Sequence, residues 1–216
     1  MRAGLPEFER AVRTYPFAAV DFDADALAAA RETLRATGLL VVGEPHGVYQ
    51  TPAVVYALAQ ELGVRALAFE WSHEEMHTFD LERLWSLPPA SEFFCGDGRI
   101  TAGHFALLRQ LAPEQIISFD RLDAEPPASW EEHVRVRDRE LAERLLAEWD
   151  RSLPLLVLTG AFHAQLAAPE GDPMAVHLAR ALPGLRPAML AYEGTPMPDA
   201  PIVFPLPAAR PAIVPG

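Results

Sequence analysis

Apolar residues follow two rhythms along this chain. Short unbroken runs appear in "LLVV" (Leu39–Val42), "VRALAFE", "QIISFD" and "PLLVLTG". Between them lie longer stretches in which apolar positions recur every three or four residues. The first rhythm predicts strands buried on both faces, the second amphipathic helices. "DADALAAARETLRATG" carries aspartates at its start and Gly38 past its end, the punctuation of a helix. "TPAVVYALAQELG" offers Thr51 as N-cap, Pro52 at the first helical position and Gly63 as stop. Further helices are predicted over "HEEMHTFDLERLW", "HFALLRQLA", "WEEHVRVRDRELAERLLAEWD" and "DPMAVHLARALPG", and a further strand in "RPAMLAY". "SLPPASEFFCGDGRITAG" reads as a loop. Strands alternating with helices predict an α/β fold, a mainly parallel sheet with helices on both faces. No internal repeat is visible. From Thr195 the chain is too rich in proline for a helix. The expectation is a single α/β domain over residues 1–194 and a C-terminal arm over 195–216, with an edge strand in "PIVF".

Composition narrows the partners. With 216 residues, half of them hydrophobic, the chain can bury the core of one domain. Its formal net charge of −12 repels phosphates and argues against nucleic acid or an anionic membrane. A small-molecule or peptide substrate remains, and the proline-rich arm leaves a homo-oligomer open. Every basic residue is arginine, which says nothing about function. Cys95 is the single cysteine, so no intrachain disulfide forms and a reducing compartment is expected. The first residues have charges every few positions and no apolar run, unlike a signal peptide. The expectation is a soluble, cytoplasmic protein.

The chemistry gathers at strand ends, where open α/β sheets bind ligands. "VVGEPHG" supplies Glu44 and His46, "LAFEW" Glu70, "ISFDR" Asp120 and Arg121, and "LTGAFHA" His163. A polar residue that ends a strand is often a mere turn former, which explains aspartate but not histidine. Two of these ends share the form Gly-x-x-His, Gly43–His46 and Gly160–His163. Glycine there would permit a sharp exit from the strand.

The stretch "LLVVGEPHGVYQTPAVVYALAQELGVRALAFEWS" resembles the opening of the erythromycin esterase-like proteins. The same core occurs in ChaN-type haem-binding proteins and in the TIKI/TraB group, where paired Gly-x-x-His motifs recur. "GDGR" (Gly96–Arg99), "VRDRELAERL" (Val136–Leu145) and "LVLTGAFHA" follow in the same order, so the resemblance runs from about Leu39 to Ala191. It implies an esterase- or amidase-like hydrolase with His46 as the base that activates water. Glu44 and Glu70 would orient or sharpen that base, and His163 would close the site opposite. Arg99, Arg121 and Asp120 are the candidate substrate contacts. "TPAVVYALAQEL" has no arginine where those esterases carry one, and the chain is too short for their helical insertions. Hydrolysis is implied; a macrolide substrate is not. Two alternatives stay open. A TIKI-like enzyme would hold a divalent metal through His46, Glu70 and His163. A ChaN-like module would hold haem, and is the less favoured, because such proteins are typically exported. No cofactor is required by the first reading.

Other motifs compete. "HEEMH" (His73–His77) matches the zinc pattern H-E-x-x-H, although Glu75 is charged where those peptidases are usually not. The bland reading is a solvated helix face. Cys95 and His104 could form a nucleophile pair, but a lone cysteine is more often a small buried hydrophobe. Trp71 either walls a pocket or packs beneath it. His133 and His177 read as structural.

Overall fold

The computed structural model describes residues 5–72, 99–120, 129–169, 171–192 and 200–206. Six strands, β1 (Leu39–Glu44), β2 (Ala66–Ser72), β3 (Gln115–Asp120), β4 (Leu155–Gly160), β5 (Ala188–Tyr192) and β6 (Ile202–Leu206), form one sheet in the order β3-β2-β4-β1-β5-β6. Every pairing is parallel. The described helices are α1 (Leu5–Arg13), α2 (Ala24–Thr37), α3 (Thr51–Leu62), α4 (Ala102–Leu111), α5 (Trp130–Glu148) and α6 (Met174–Ala181). The fold is α/β, as the alternating apolar runs predict.

Strand side chains divide between two cores, because successive residues point to opposite faces. On β1, Leu40 and Val42 pack with Leu34 of α2, Val54 and Leu58 of α3 and Phe105 of α4. Leu39 and Val41 pack on the other face with Leu141 and Leu145 of α5 and Leu178 of α6. Both faces are covered, which is why these strands lack polar alternation.

Some boundaries differ from expectation. Gln50, not Thr51, takes the N-cap position of α3, and Thr51 is its first residue. Helix α1 was not evident from the pattern, being short and charged. Its Phe8 meets Phe105 edge-on at 5.4 Å. In the proline-rich tail, Ile202–Leu206 runs parallel to β5 at the sheet edge, with Phe204 fully buried. No described helix is long and apolar enough to cross a membrane.

The topology positions the site. From β1 the chain moves to β2 and β3, returns to insert β4 between β2 and β1, then continues to β5 on β1's far side. The direction of winding thus reverses about β1 and β4, and the crevice for a ligand in such a sheet lies at that reversal, off the carboxyl ends.

Candidate functional site

A cavity of about 400 Å³ opens there. Glu44, His46, Glu70, Arg99 and His163 all line it, joined by Arg137 and Asp138 of α5 and by Gly160. Glu44 and Gly160 are register partners on neighbouring strands, so β4 delivers its end between the two glutamates.

Glu70 is the hub. Its Oε2 accepts hydrogen bonds from the Thr159 hydroxyl and the Gly160 amide, each at 2.7 Å. Its Oε1 accepts from Arg99 at 3.0 Å and Arg137 at 3.2 Å, and lies 3.4 Å from His163 Nε2. Burial alone would raise its pKa. His163, the two guanidiniums and the Gly160 amide outweigh burial and lower it to about 2. Glu70 is therefore a permanent anion, not a group that exchanges protons near neutral pH.

His46 has a different environment. Its Nδ1 sits 3.4 Å from Glu44 Oε1, and its side chain is 22% exposed. Burial opposes a charge on the ring, but the Glu44 contact and the field of Glu70 prevail, and its pKa rises above the usual value. Glu44 is itself pushed up by burial, against the pull of His46. The Thr51 hydroxyl is near enough to favour the Glu44 charge, although it closes no hydrogen bond of good geometry.

The Nδ1–H of His163 donates to Asp138 Oδ1 at 2.6 Å. The same oxygen accepts the Met174 amide at 2.7 Å, capping α6, whose N-cap Pro173 has no side chain to do so. His163 Nε2 then faces Arg137 at 3.2 Å. Asp138 is completely buried and its Oδ2 has no hydrogen-bond partner.

The two Gly-x-x-His glycines differ from expectation. Neither Gly43 nor Gly160 has a positive φ. Their role is space: a Cβ on Gly160 would lie 2.8 Å from His46 Nε2, and one on Gly43 would lie 2.6 Å from Met189 Sδ. The second motif's glycine makes room for the first motif's histidine.

A divalent metal fits these residues poorly. A ligand needs a free lone pair, and those of Glu70 already receive two guanidiniums, an amide and a hydroxyl, while His163 Nε2 faces Arg137. Among the described residues, no three His, Cys, Asp or Glu side chains form a metal-holding group. Haem would need an apolar slot and an axial ligand, and the described lining sets Pro45, Ala161 and Phe162 beside two imidazoles, His46 and His163, among five charged side chains.

No protein family model matches this chain, and no curated protein is similar enough to count as a relative. Solved structures do resemble it. One, described as bacterial protein toxins, superposes with a TM-score of 0.50 at 15% identity, covering 88% of this chain and 39% of that one. ChaN of Campylobacter jejuni, described as binding haem cofacially, gives a TM-score of 0.49 at 10% identity, covering 83% of this chain and 90% of that one. This chain spans well under half the length of the toxin chain, and the likeness concerns the fold alone.

Of the residues singled out from sequence, the structure brings Glu44, His46, Glu70, His163 and Arg99 to one cavity. Asp120 stands behind it, binding Arg137 through both oxygens at 2.6 and 3.3 Å, with Arg99 3.5 Å away. Arg121, Cys95 and His73–His77 lie outside the described residues. Trp71 packs: it is 2% exposed and stacks on Phe69 at 4.2 Å. His104 is no ready base. Its Nδ1 accepts the Thr101 amide as part of a capping box, and burial, aided by the His46 charge, lowers its pKa to about 3. Sequence reasoning missed Arg137 and Asp138 as individuals. A signal existed: Asp138 shares a helical stripe with Leu141, Ala142 and Leu145, all buried. An acid on an apolar stripe calls for a buried partner.

Proposed function

We propose that this chain hydrolyses an ester or amide bond at this cavity, with His46 as the base that activates water. The observation that carries the reading is His46 itself: a partly exposed imidazole lining the cavity beside Glu44, with its pKa raised. Such a group takes a proton from water near neutral pH and returns it to a leaving group. Glu44 lies 3.4 Å from His46 Nδ1 and favours the protonated ring. The fixed charge of Glu70 favours the imidazolium that forms. Arg99 and Arg137, held by Glu70 and Asp120, put fixed positive charge on the cavity wall that favours a developing oxyanion. His163, pinned by Asp138, faces the same space. The resemblance of "VVGEPHG" to the erythromycin esterase-like motif supports the same assignment, and the donors described above favour chemistry without a metal. The substrate would be a small molecule or a peptide.

The test is turnover of a panel of p-nitrophenyl esters and anilides by the purified protein, with and without EDTA. Wild-type protein should hydrolyse members of the panel, EDTA should leave the rate unchanged, and His46→Ala should lose on the order of 10²-fold or more. Equal rates for wild type and His46→Ala would remove His46 from the mechanism, and a rate abolished by EDTA would return it to metal chemistry.

A further inference from the structure

A second cavity, of about 370 Å³, opens at the opposite end of the sheet, beside the residues that precede β1 and β4. Arg31 and Arg35 of α2 line it, one helical turn apart, together with Arg151 from the turn before β4. No acidic side chain is among the described residues lining it. That grouping is out of character for a chain of net charge −12. Several arginines pair closely with acids, as in Arg65–Glu114 and Arg180–Asp172, and Arg31 does so here with Glu61, but Arg35 and Arg151 have no carboxylate partner among the described residues.

Arg31 is offset by an acid at the rim, whereas Arg35 and Arg151 leave the cleft positive. Arg31 is tied back to Glu61, which it meets at 3.0 Å through the carboxylate and 3.3 Å through the carbonyl. Arg151 lies over the Trp149 ring, 4.4 Å from its centroid. Stacking uses the face of a guanidinium and leaves its N–H edges for an acceptor. Among the described residues, Arg35 forms no hydrogen bond or ion pair. Between these cations the lining is apolar, with Leu34 and Leu153 largely buried and Leu62 partly so.

We infer that this cleft is a binding site for a small organic anion, a carboxylate on an apolar body. The carboxylate takes the planar N–H forks of Arg35 and Arg151, a geometry suited to two-point contact. The apolar body lies against the apolar floor of Leu34 and Leu153, which are already buried, and covers the partly exposed Leu62. Like charges held together at this end of the sheet are relieved when the anion enters. The site lies at the other end of the sheet from His46 and does not depend on the catalytic reading.

The probe is hexanoate, titrated into the full-length protein at low ionic strength and followed by backbone amide NMR, with inorganic phosphate as a second titrant. Hexanoate should shift the amides around Arg35–Leu39 and Arg151–Leu155, and added salt should weaken it. Phosphate, lacking an apolar body, should bind more weakly at the same place. The double variant Arg35→Gln/Arg151→Gln should lose about tenfold in affinity or more, as removal of two charge-assisted contacts implies. Arg35→Gln alone, which keeps the Trp149 stack, should lose part of that, and His46→Ala should bind as wild type does. The site is overturned if hexanoate leaves these amides unmoved, if the double variant binds undiminished, if phosphate matches hexanoate, or if His46→Ala abolishes binding.

Discussion

Two neighbouring side chains govern how the proposed hydrolysis should respond to pH. A base works only when unprotonated, and the pKa of His46 is raised, so kcat/KM should climb with pH along a limb centred above the free-histidine value near 6.5. Glu44→Gln removes a contact that raises it, and the limb should move to lower pH. A pH–rate profile of the two proteins checks this, and a limb that stays in place would detach Glu44 from His46. The stability sign follows from the same shift. A histidine whose pKa is raised on folding stabilises the protein fully below its unfolded value, and that contribution disappears as pH rises through the folded one. The base is therefore active in the range where its own stabilising charge has gone. Gly160 gives a steric counterpart. A methyl group there would meet His46 Nε2 at 2.8 Å and Glu70 Oε2 at 3.4 Å. Gly160→Ala should displace the ring, lower kcat by tenfold or more, and destabilise the fold by about 1–3 kcal/mol, the usual cost of overpacking. Kinetics and urea unfolding would read the two effects separately. The presence of Gly160 was legible in the sequence and its reason was not, because a chain read in one dimension cannot reveal that the ring of residue 46 lies against residue 160.

At the scale of elements, α5 ties the candidate site to architecture through Asp138. One of its oxygens holds the imidazole of His163 and caps the first amide of α6. Asp138→Asn removes the charge that favours a proton on His163 Nδ1 and weakens the cap. The expected loss is about 1–3 kcal/mol of stability, as for a buried hydrogen bond to a charged group. The tautomer of His163 should change as well, which 15N shifts of the ring nitrogens would register. Unchanged ring shifts would reduce Asp138 to a helix cap. The strands and most helices were legible because apolar runs and capping residues are local signals: "LLVV" and "PLLVLTG" need no partner to be recognised. The strand order was not, since nothing in β4's composition says that it inserts between β2 and β1. Arg137 escaped for a related reason. In the middle of a long charged helix it looks like one more solvated arginine, until Asp120 and Glu70 are placed beside it.

For the whole molecule, the edge strand sets a limit on truncation. Ile202, Phe204 and Leu206 bury their side chains against the face shared with α2, and each contributes roughly 1.5–3 kcal/mol of burial. A chain ending at Tyr192 should unfold at a markedly lower temperature, or aggregate through the exposed edge of β5. Thermal denaturation and light scattering would distinguish this from a dispensable tail, which would leave both unchanged.

The strand order also has a consequence in time. A ribosome releases β1, β2 and β3 long before β4, yet β1 and β2 have no direct pairing and meet only through β4. Until about residue 160 has emerged, the nascent chain holds a β2–β3 pair and a lone β1, with open edges that invite other chains. This inserted strand also carries Thr159 and Gly160, whose hydroxyl and amide grip Glu70. The candidate site and the joining of β1 to β2 are thus completed by one event. A chain terminated before β4 should lack the assembled site, and a fragment beginning at β4 should restore the β1–β4–β2 pairing when supplied to the remainder.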